Sequence, residues 1–298
     1  MTIAPARSVA DCRLKRGFIV QSEKRLPCRV LAATVCAIAA LAASSTATAT
    51  ASNAAGPVVR TPTPAVRTPT GTTAVGSFNW SGYAQEAPSG TFRAVTDKWR
   101  VPTVNTNPAG TQYSSDWVGI GGWSDGTLVQ AGTEADNFNH KAFYQAWTEI
   151  LPEPENPLSL PVHPGDKIKT TVRETKPGVW KMTVVDQTTK QKASRTASYS
   201  GSTHASVEAI HERPTVGGVY ASLAATTPVT LDPGKYTTVL GEAPKTPLLS
   251  LAANATLYQV FMFNNASTEV IAAPSSPDSD VDGFTVADGS TSPPPPKS

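Results

Sequence analysis

Gln130, Glu149, Glu208 and Glu212 hold the most chemical promise in this chain, because each sits among aromatic and aliphatic neighbours in a strand-like segment. The segments are Leu128-Val129-Gln130-Ala131-Gly132, Gln145-Ala146-Trp147-Thr148-Glu149-Ile150-Leu151-Pro152-Glu153 and Val207-Glu208-Ala209-Ile210-His211-Glu212-Arg213-Pro214. Phe78-Asn79-Trp80-Ser81-Gly82-Tyr83 and Asp116-Trp117-Val118-Gly119-Ile120-Gly121-Gly122 precede them. Side chains on a strand alternate between its two faces. Leu128 and Gln130 therefore share a face, as do Trp147, Glu149 and Leu151, and as do Glu208, Ile210 and Glu212. An amide and several carboxyls displayed this way line a groove, and a carboxyl in a groove can exchange protons with a bound molecule. His211 falls on the opposite face from Glu212 and is expected to be structural or solvated.

Other chemistries lack their residues. His140, His163, His204 and His211 fall in no H-E-x-x-H or H-x-H spacing, so zinc hydrolysis is not expected. Gly122-Trp123-Ser124-Asp125-Gly126 spells G-x-S-x-G, but a nucleophile elbow joins a strand to a helix. Here the next residues read as another strand, and the segment is expected to be a turn. There is no D-T-G or D-S-G motif and no Gly-rich phosphate loop. No metal and no cofactor are expected. Two further readings of the groove stay open. Trp80, Trp117 and Trp147 on a concave sheet are also what a carbohydrate-binding sandwich presents. A glycoside hydrolase needs two carboxyls about 5–9.5 Å apart. Glu208 and Glu212, four residues apart on one strand, have backbones about 14 Å apart, which disfavours it.

The elements that must position these residues are short strands. Thr-, Val-, Tyr- and Trp-rich runs are broken by Gly, Pro, Asn and Asp. Strands are expected over 92–101, 116–120, 127–131, 141–150, 167–174, 179–187, 207–212, 236–240, 248–251 and 258–263. No segment sustains a 3.6-residue period, so the fold is expected to be all-β, an antiparallel sandwich or barrel. Around this domain, expected over 77–288, the chain changes character. Arg25 and Arg29, an apolar run of about 14 residues from Val30 and an Ala49-Thr50-Ala51 exit read as a signal peptide over 1–51. That run falls short of the roughly 20 residues a membrane span requires. A Pro/Thr-rich linker or short pro-segment is expected over 52–76, and a disordered tail over 289–298.

The chain of 298 residues is formally +2, but residues 77–288 carry fifteen basic and twenty-one acidic side chains. The basicity belongs to the leader and linker, so nucleic acid is not an expected partner. Cys12, Cys28 and Cys36 all lie in the leader, which leaves the expected mature domain without disulfides or thiolates. A secreted, extracellular monomer that does not bind membrane once its leader is removed is expected.

The segments resemble the glutamic peptidase (eqolisin) family. Its opening N-W-x-G is matched by Asn79-Trp80-Ser81-Gly82, its W-V-G-I-x-G by Trp117 to Gly122, and its following Leu-Gln-x-Gly-like turn by Val129-Gln130-Ala131-Gly132. Its E-W-like segment ending in Pro-Glu is matched by Trp147 to Glu153, and its late A-E-x-I-x-E by Val207 to Pro214. The resemblance runs from Phe78 to about Phe263 and implies two curved antiparallel sheets, concanavalin- or jelly-roll-like, with substrate in the concave groove. It implies an acid endopeptidase, resistant to pepstatin, acting on protein or peptide substrates. The catalytic pair then falls on Gln130 and Glu212, with Trp117, Trp147 and Glu149 against the substrate; from strand position alone Trp80 is a further groove or core residue, and Glu208 is either a groove-wall carboxylate or the alternative key acid. A bacterial-type member is expected, because this chain departs from fungal ones. Gly121 and Gln145 stand where those carry Asp, and their disulfides are absent.

Overall fold

The computed structural model describes residues 58–59 and 72–298. The expected signal peptide over 1–51, with the three cysteines, lies outside the described residues, as does most of the segment over 52–76. No helix occurs among the described residues.

Two sheets face each other. The larger runs, in spatial order, Val229–Leu231, Phe284–Asp288, Val270–Pro274, Thr256–Phe263, Trp80–Glu86, Ser206–Glu212, Ser115–Ile120, Val129–Phe138, Ala142–Ile150 and Asn156–Pro157. The smaller runs Gln191–Ser198, Val179–Asp186, Lys167–Lys176, Ala94–Arg100, Lys235–Thr237 and Thr246–Pro247. Neighbours along both are antiparallel. One parallel pairing breaks the pattern: Thr72–Ser77 lies alongside Thr256–Phe263. Five residues of the expected linker, 72–76, are thus strand, because Thr72-Thr73-Ala74-Val75 suits a free sheet edge even without an aromatic residue.

The alternation of each strand builds the core. Val118, Ile120, Val129, Ala131, Ala146, Ile150, Val207 and Ala209 turn inward from the larger sheet. They pack on Val95, Trp99, Ile168, Val172, Trp180, Met182 and Val184 of the smaller one. Each fully buried side chain of this size stabilises the fold by about 1.5–3 kcal/mol. The smaller sheet keeps its other face in solvent, so Lys167–Lys176 alternates buried and more exposed positions.

Besides Thr72–Ser77, four strands of five or more residues lie outside the expected ranges: Trp80–Glu86, Gln191–Ser198, Val270–Pro274 and Phe284–Asp288; the three-residue Val229–Leu231 and several two-residue strands do too. Gln191–Ser198 is an edge strand with no buried residue, so it has no apolar face to reveal it. The strand expected over 248–251 is a turn after Thr246–Pro247, and the one expected over 236–240 shrinks to Lys235–Thr237. The 289–298 tail forms no strand, but its Ser298 hydroxyl lies 2.6 Å from that of Ser279.

Candidate active site

The outer face of the larger sheet carries the residues of interest in three cross-strand rows. Trp80, Glu212, Ser115, Glu134 and Gln145 form one. Gly82, Ile210, Trp117, Gly132 and Trp147 form the next. Ala84, Glu208, Gly119, Gln130 and Glu149 form the third. All seven side chains singled out in the sequence therefore share this face, as the period of two requires. Trp80, Trp117 and Trp147 join Trp123, Leu128, Leu151, Ile210 and Val260 in an apolar cluster separate from the main core. Trp80 meets Trp117 edge-on at 5.0 Å, and Trp123 lies between Trp80 and Tyr258. The rings fit because the middle positions lack side chains. A Cβ on Gly132 would sit 2.6 Å from Trp117 Cβ, and one on Gly119 would sit 2.9 Å from the Trp117 ring.

Glu212 is fully buried, and its two oxygens are divided between two donors. Asn79 Nδ2 donates to Oε1 at 2.8 Å and Trp117 Nε1 donates to Oε2 at 2.7 Å. The Trp80 indole N–H acts on the same carboxyl but closes no bond of ordinary geometry. Burial drives the Glu212 pKa well above the usual carboxylate range; Trp117 opposes this, the Glu149 charge adds to it, and Trp80 and Asn79 oppose it in turn. Gln130 Nε2 donates to Glu149 Oε2 at 2.5 Å. Glu149 therefore links the two: it accepts from Gln130 and its charge acts on Glu212. Glu208, also fully buried, is pushed well above its ordinary pKa, first by burial, and no bond of ordinary geometry reaches its oxygens.

The same face carries acids that sequence reasoning passed over. Glu134 and Asp136 follow Gln130 at the period of two, which is the signal that would have found them. Burial raises both, and each is further raised by a neighbouring acid, Asp136 for Glu134 and Glu155 for Asp136. Glu155 is pushed up to about 8 by burial and by the Glu134 charge. Asn79 precedes its strand, so no alternation could assign it to Glu212. On the opposite face, His211 is buried and its Nδ1 lies 2.8 Å from Asp116 Oδ1. That pair ties the strand bearing Glu212 to the strand bearing Trp117 from behind.

Gly122–Gly126 is a bend with no helix after it. Asp125 Oδ1 accepts from the backbone N–H groups of Gly122 and Thr127 and from the Thr127 hydroxyl, which leaves no nucleophile elbow. Gly121, where an acid was missing, has φ of 85°, and an added Cβ would lie 1.8 Å from the Thr127 carbonyl oxygen. This backbone admits no aspartate there. Gln145, the other departure, pairs across from Glu134, so an acid is still present at that point of the face.

The peptidase A4 family model matches residues 78–276. The chain belongs to the peptidase A4 family. As an A4 peptidase it shares its sandwich with solved members. It matches the crystal structure of scytalido-glutamic peptidase with a transition state analog inhibitor at 20% identity and a TM-score of 0.58, over 70% of this chain and 98% of that one. It matches SCP-B, a member of the eqolisin family in a complex with the tripeptide Ala-Ile-His, at 21% identity and a TM-score of 0.53 over the same shares. At these identities the likeness carries the fold alone. No curated protein matches this A4 peptidase in sequence.

Proposed function

We propose that this A4 peptidase is a secreted endopeptidase that cuts peptide bonds in acid, with Glu212 and Gln130 handling the water and the developing oxyanion. The observation that carries the reading is the setting of Glu212. It is a fully buried carboxyl with a directed donor on each oxygen and a second carboxyl, Glu149, close enough for its charge to act. Like charges confined together resist ionising at once, so such a pair keeps a proton available in acid. In its ionised form, which the Trp117 and Asn79 donors favour, Glu212 takes the proton of a bound water as it attacks the scissile carbonyl, then returns it to the leaving amine. Gln130 cannot ionise. Its Nε2, which donates to Glu149 in the unliganded site, turns to the carbonyl oxygen as charge develops there, a contribution worth about 2.7–4 kcal/mol in comparable sites. The tripeptide held by SCP-B suits the same reading, with an extended peptide lying across Trp80, Trp117 and Trp147 and with Glu149 and Glu208 in the groove wall.

The test is a pH–rate profile on a denatured protein substrate, with and without pepstatin, run beside Glu212→Gln and Gln130→Ala. The expected result is acid proteolysis that ignores pepstatin and disappears in Glu212→Gln while the fold survives. Full activity in either variant sinks the assignment, and retention of polysaccharide without proteolysis would favour a sugar-binding groove instead.

A further inference from the structure

Away from the groove, three segments converge where the chain crosses between the sheets. Val229–Leu231 belongs to the larger sheet and Lys235–Thr237 to the smaller, so residues 232–234 form the crossing. The loop before Phe284–Asp288 reads Asp278-Ser279-Asp280-Val281-Asp282-Gly283. Its spacing, D-x-D-x-D-G, is that of the first half of a calcium-binding loop, in which alternate carboxylates and a tight glycine turn wrap one ion. Gly289 occupies the twelfth position, where such loops place a chelating Glu, so a further carboxylate must come from elsewhere. Asp232 meets that need. One carboxylate oxygen each from Asp232, Asp278 and Asp282 lie within 4.8 Å of one another. Oxygens 2.3–2.6 Å from a common calcium ion span at most about 5 Å, whereas the 2.0–2.1 Å shell of magnesium spans only about 4 Å.

The loop is already folded around its first aspartate. Asp278 Oδ1 accepts the backbone N–H groups of Asp282 and Gly283 at 3.1 Å each, which leaves Oδ2 buried with no hydrogen-bond partner. Asp282 Oδ1 is likewise buried and unpartnered. An independent observation comes from the smaller sheet. Asp97, on Ala94–Arg100, is fully buried, and its Oδ1 takes the N–H of Lys98. Its Oδ2 has no partner and faces the crossing, where a Cβ on Gly234 would lie 2.6 Å from it. The charges of Asp232 and Asp282 both act on it. The cations nearby are Lys98 and Lys235, and neither bonds these oxygens. Asp232 also lines a cavity of about 400 Å³ with Lys98, Arg100 and Lys167.

We propose that the Asp278–Gly283 loop, closed by Asp232 and backed by the buried Asp97, is a calcium site that staples the two sheets together. The site is separate from the groove and does not depend on how the groove works. Its donors are all oxygen and mostly charged, which selects a hard divalent cation over zinc or copper.

Thermal melting of the full chain at pH 7, followed by circular dichroism, tests this directly. With 10 mM calcium chloride the Tm is expected to rise by about 5 °C or more, the shift for a site of roughly 0.1 mM affinity, and by much less with magnesium. Terbium luminescence should titrate on the same site and be displaced by calcium. Asp280 is exposed, so Asp280→Asn keeps the fold and should weaken calcium severalfold. Asp232→Asn and Asp282→Asn should abolish the shift, and Glu242→Gln, on the surface, should leave it intact. The absence of any calcium shift in the wild type overturns the proposal, as does an undiminished shift in Asp232→Asn and Asp282→Asn. If Asp282→Asn melts higher than the wild type without metal while calcium moves neither, these carboxyls share protons rather than an ion, and the proposal fails.

Discussion

Two groups of buried carboxyls sit in this sandwich, and they solve the same problem differently. On the outer face of the larger sheet, Glu212, Glu149, Glu208, Glu134 and Asp136 are spread over two cross-strand rows and the residues beyond, and Glu212 has its own N–H donors. At the sheet crossing, Asp232, Asp278 and Asp282 bring their oxygens to one point. Spread carboxyls with individual donors are suited to holding and passing protons. Convergent carboxyls leave room for one cation. The residue types are nearly the same, and the backbone decides between the two uses: a regular sheet keeps side chains on a lattice, whereas a D-x-D-x-D-G turn folds them inward.

Removing the Glu212 carboxyl should have the largest effect on this contrast. Glu212→Gln keeps the shape and loses the ionisable group, and proteolysis should fall by about 10²–10⁴-fold or more in steady-state assays. Gln130→Ala should follow with a loss of about 10²–10³-fold, read in kcat rather than KM, because the amide is needed most as the oxyanion forms. An equal loss in KM alone would make Gln130 a binding residue.

Stability should then track the groove acids. Glu134, Asp136, Glu208 and Glu212 have folded pKa values raised above their unfolded ones, chiefly by burial, and Glu155 is raised to about 8. The folded state therefore binds more protons than the unfolded chain. For Glu134, Asp136 and Glu155 that contribution is complete below the unfolded values of 3.8–4.5 and is lost as pH rises through about 8–9, and Glu208 and Glu212 act in the same direction. His211 adds to the trend: burial lowers its pKa, but Asp116 and Asp288 raise it to a net upward shift. Asp125, Glu174 and Asp186 oppose the trend, with pKa values that hydrogen bonds and nearby cations pull down against burial, so their contribution fades below pH 4. Calcium-free melts at pH 4.5, 6 and 8 should give a falling Tm, and a rising one would remove the groove acids from the account.

A smaller effect tests the link between Glu149 and Glu212. The Glu149 charge raises Glu212, so Glu149→Gln should lower the Glu212 pKa and move the acid-side limb of the pH–rate profile to lower pH. Trp117→Phe removes a donor that lowers it and should move the limb the other way. Smallest of all, Lys245→Ala breaks only the surface pair with Glu242 and should change stability by no more than about 0.5 kcal/mol in denaturant melts.

The face shared by Gln130, Glu149, Glu208 and Glu212 could be read from sequence because alternation is a local property. Local pattern does not state which strands are neighbours, so the rows joining Glu212 to Ser115 and Gln130 to Gly119 emerged only from the pairing. The roles of Gln130 and Glu212 came from resemblance, since spacing alone cannot distinguish a catalytic amide from an ordinary one. Asn79 stayed hidden because it sits ahead of its strand. Asp97 and Asp232 stayed hidden because their nearness to residues 278–282 depends on how the two sheets stack, and no sequence window spans that.

The backbone at Gly121 limits how the groove can be altered. With φ at 85° and the Thr127 carbonyl occupying the space a side chain would need, an aspartate cannot be introduced here by a single substitution. Its introduction would require the bend over 121–127 to be rebuilt first. An acid can be added to this face only at another position, and Gln145, which pairs across from Glu134 on a regular strand, is one whose backbone accepts a side chain.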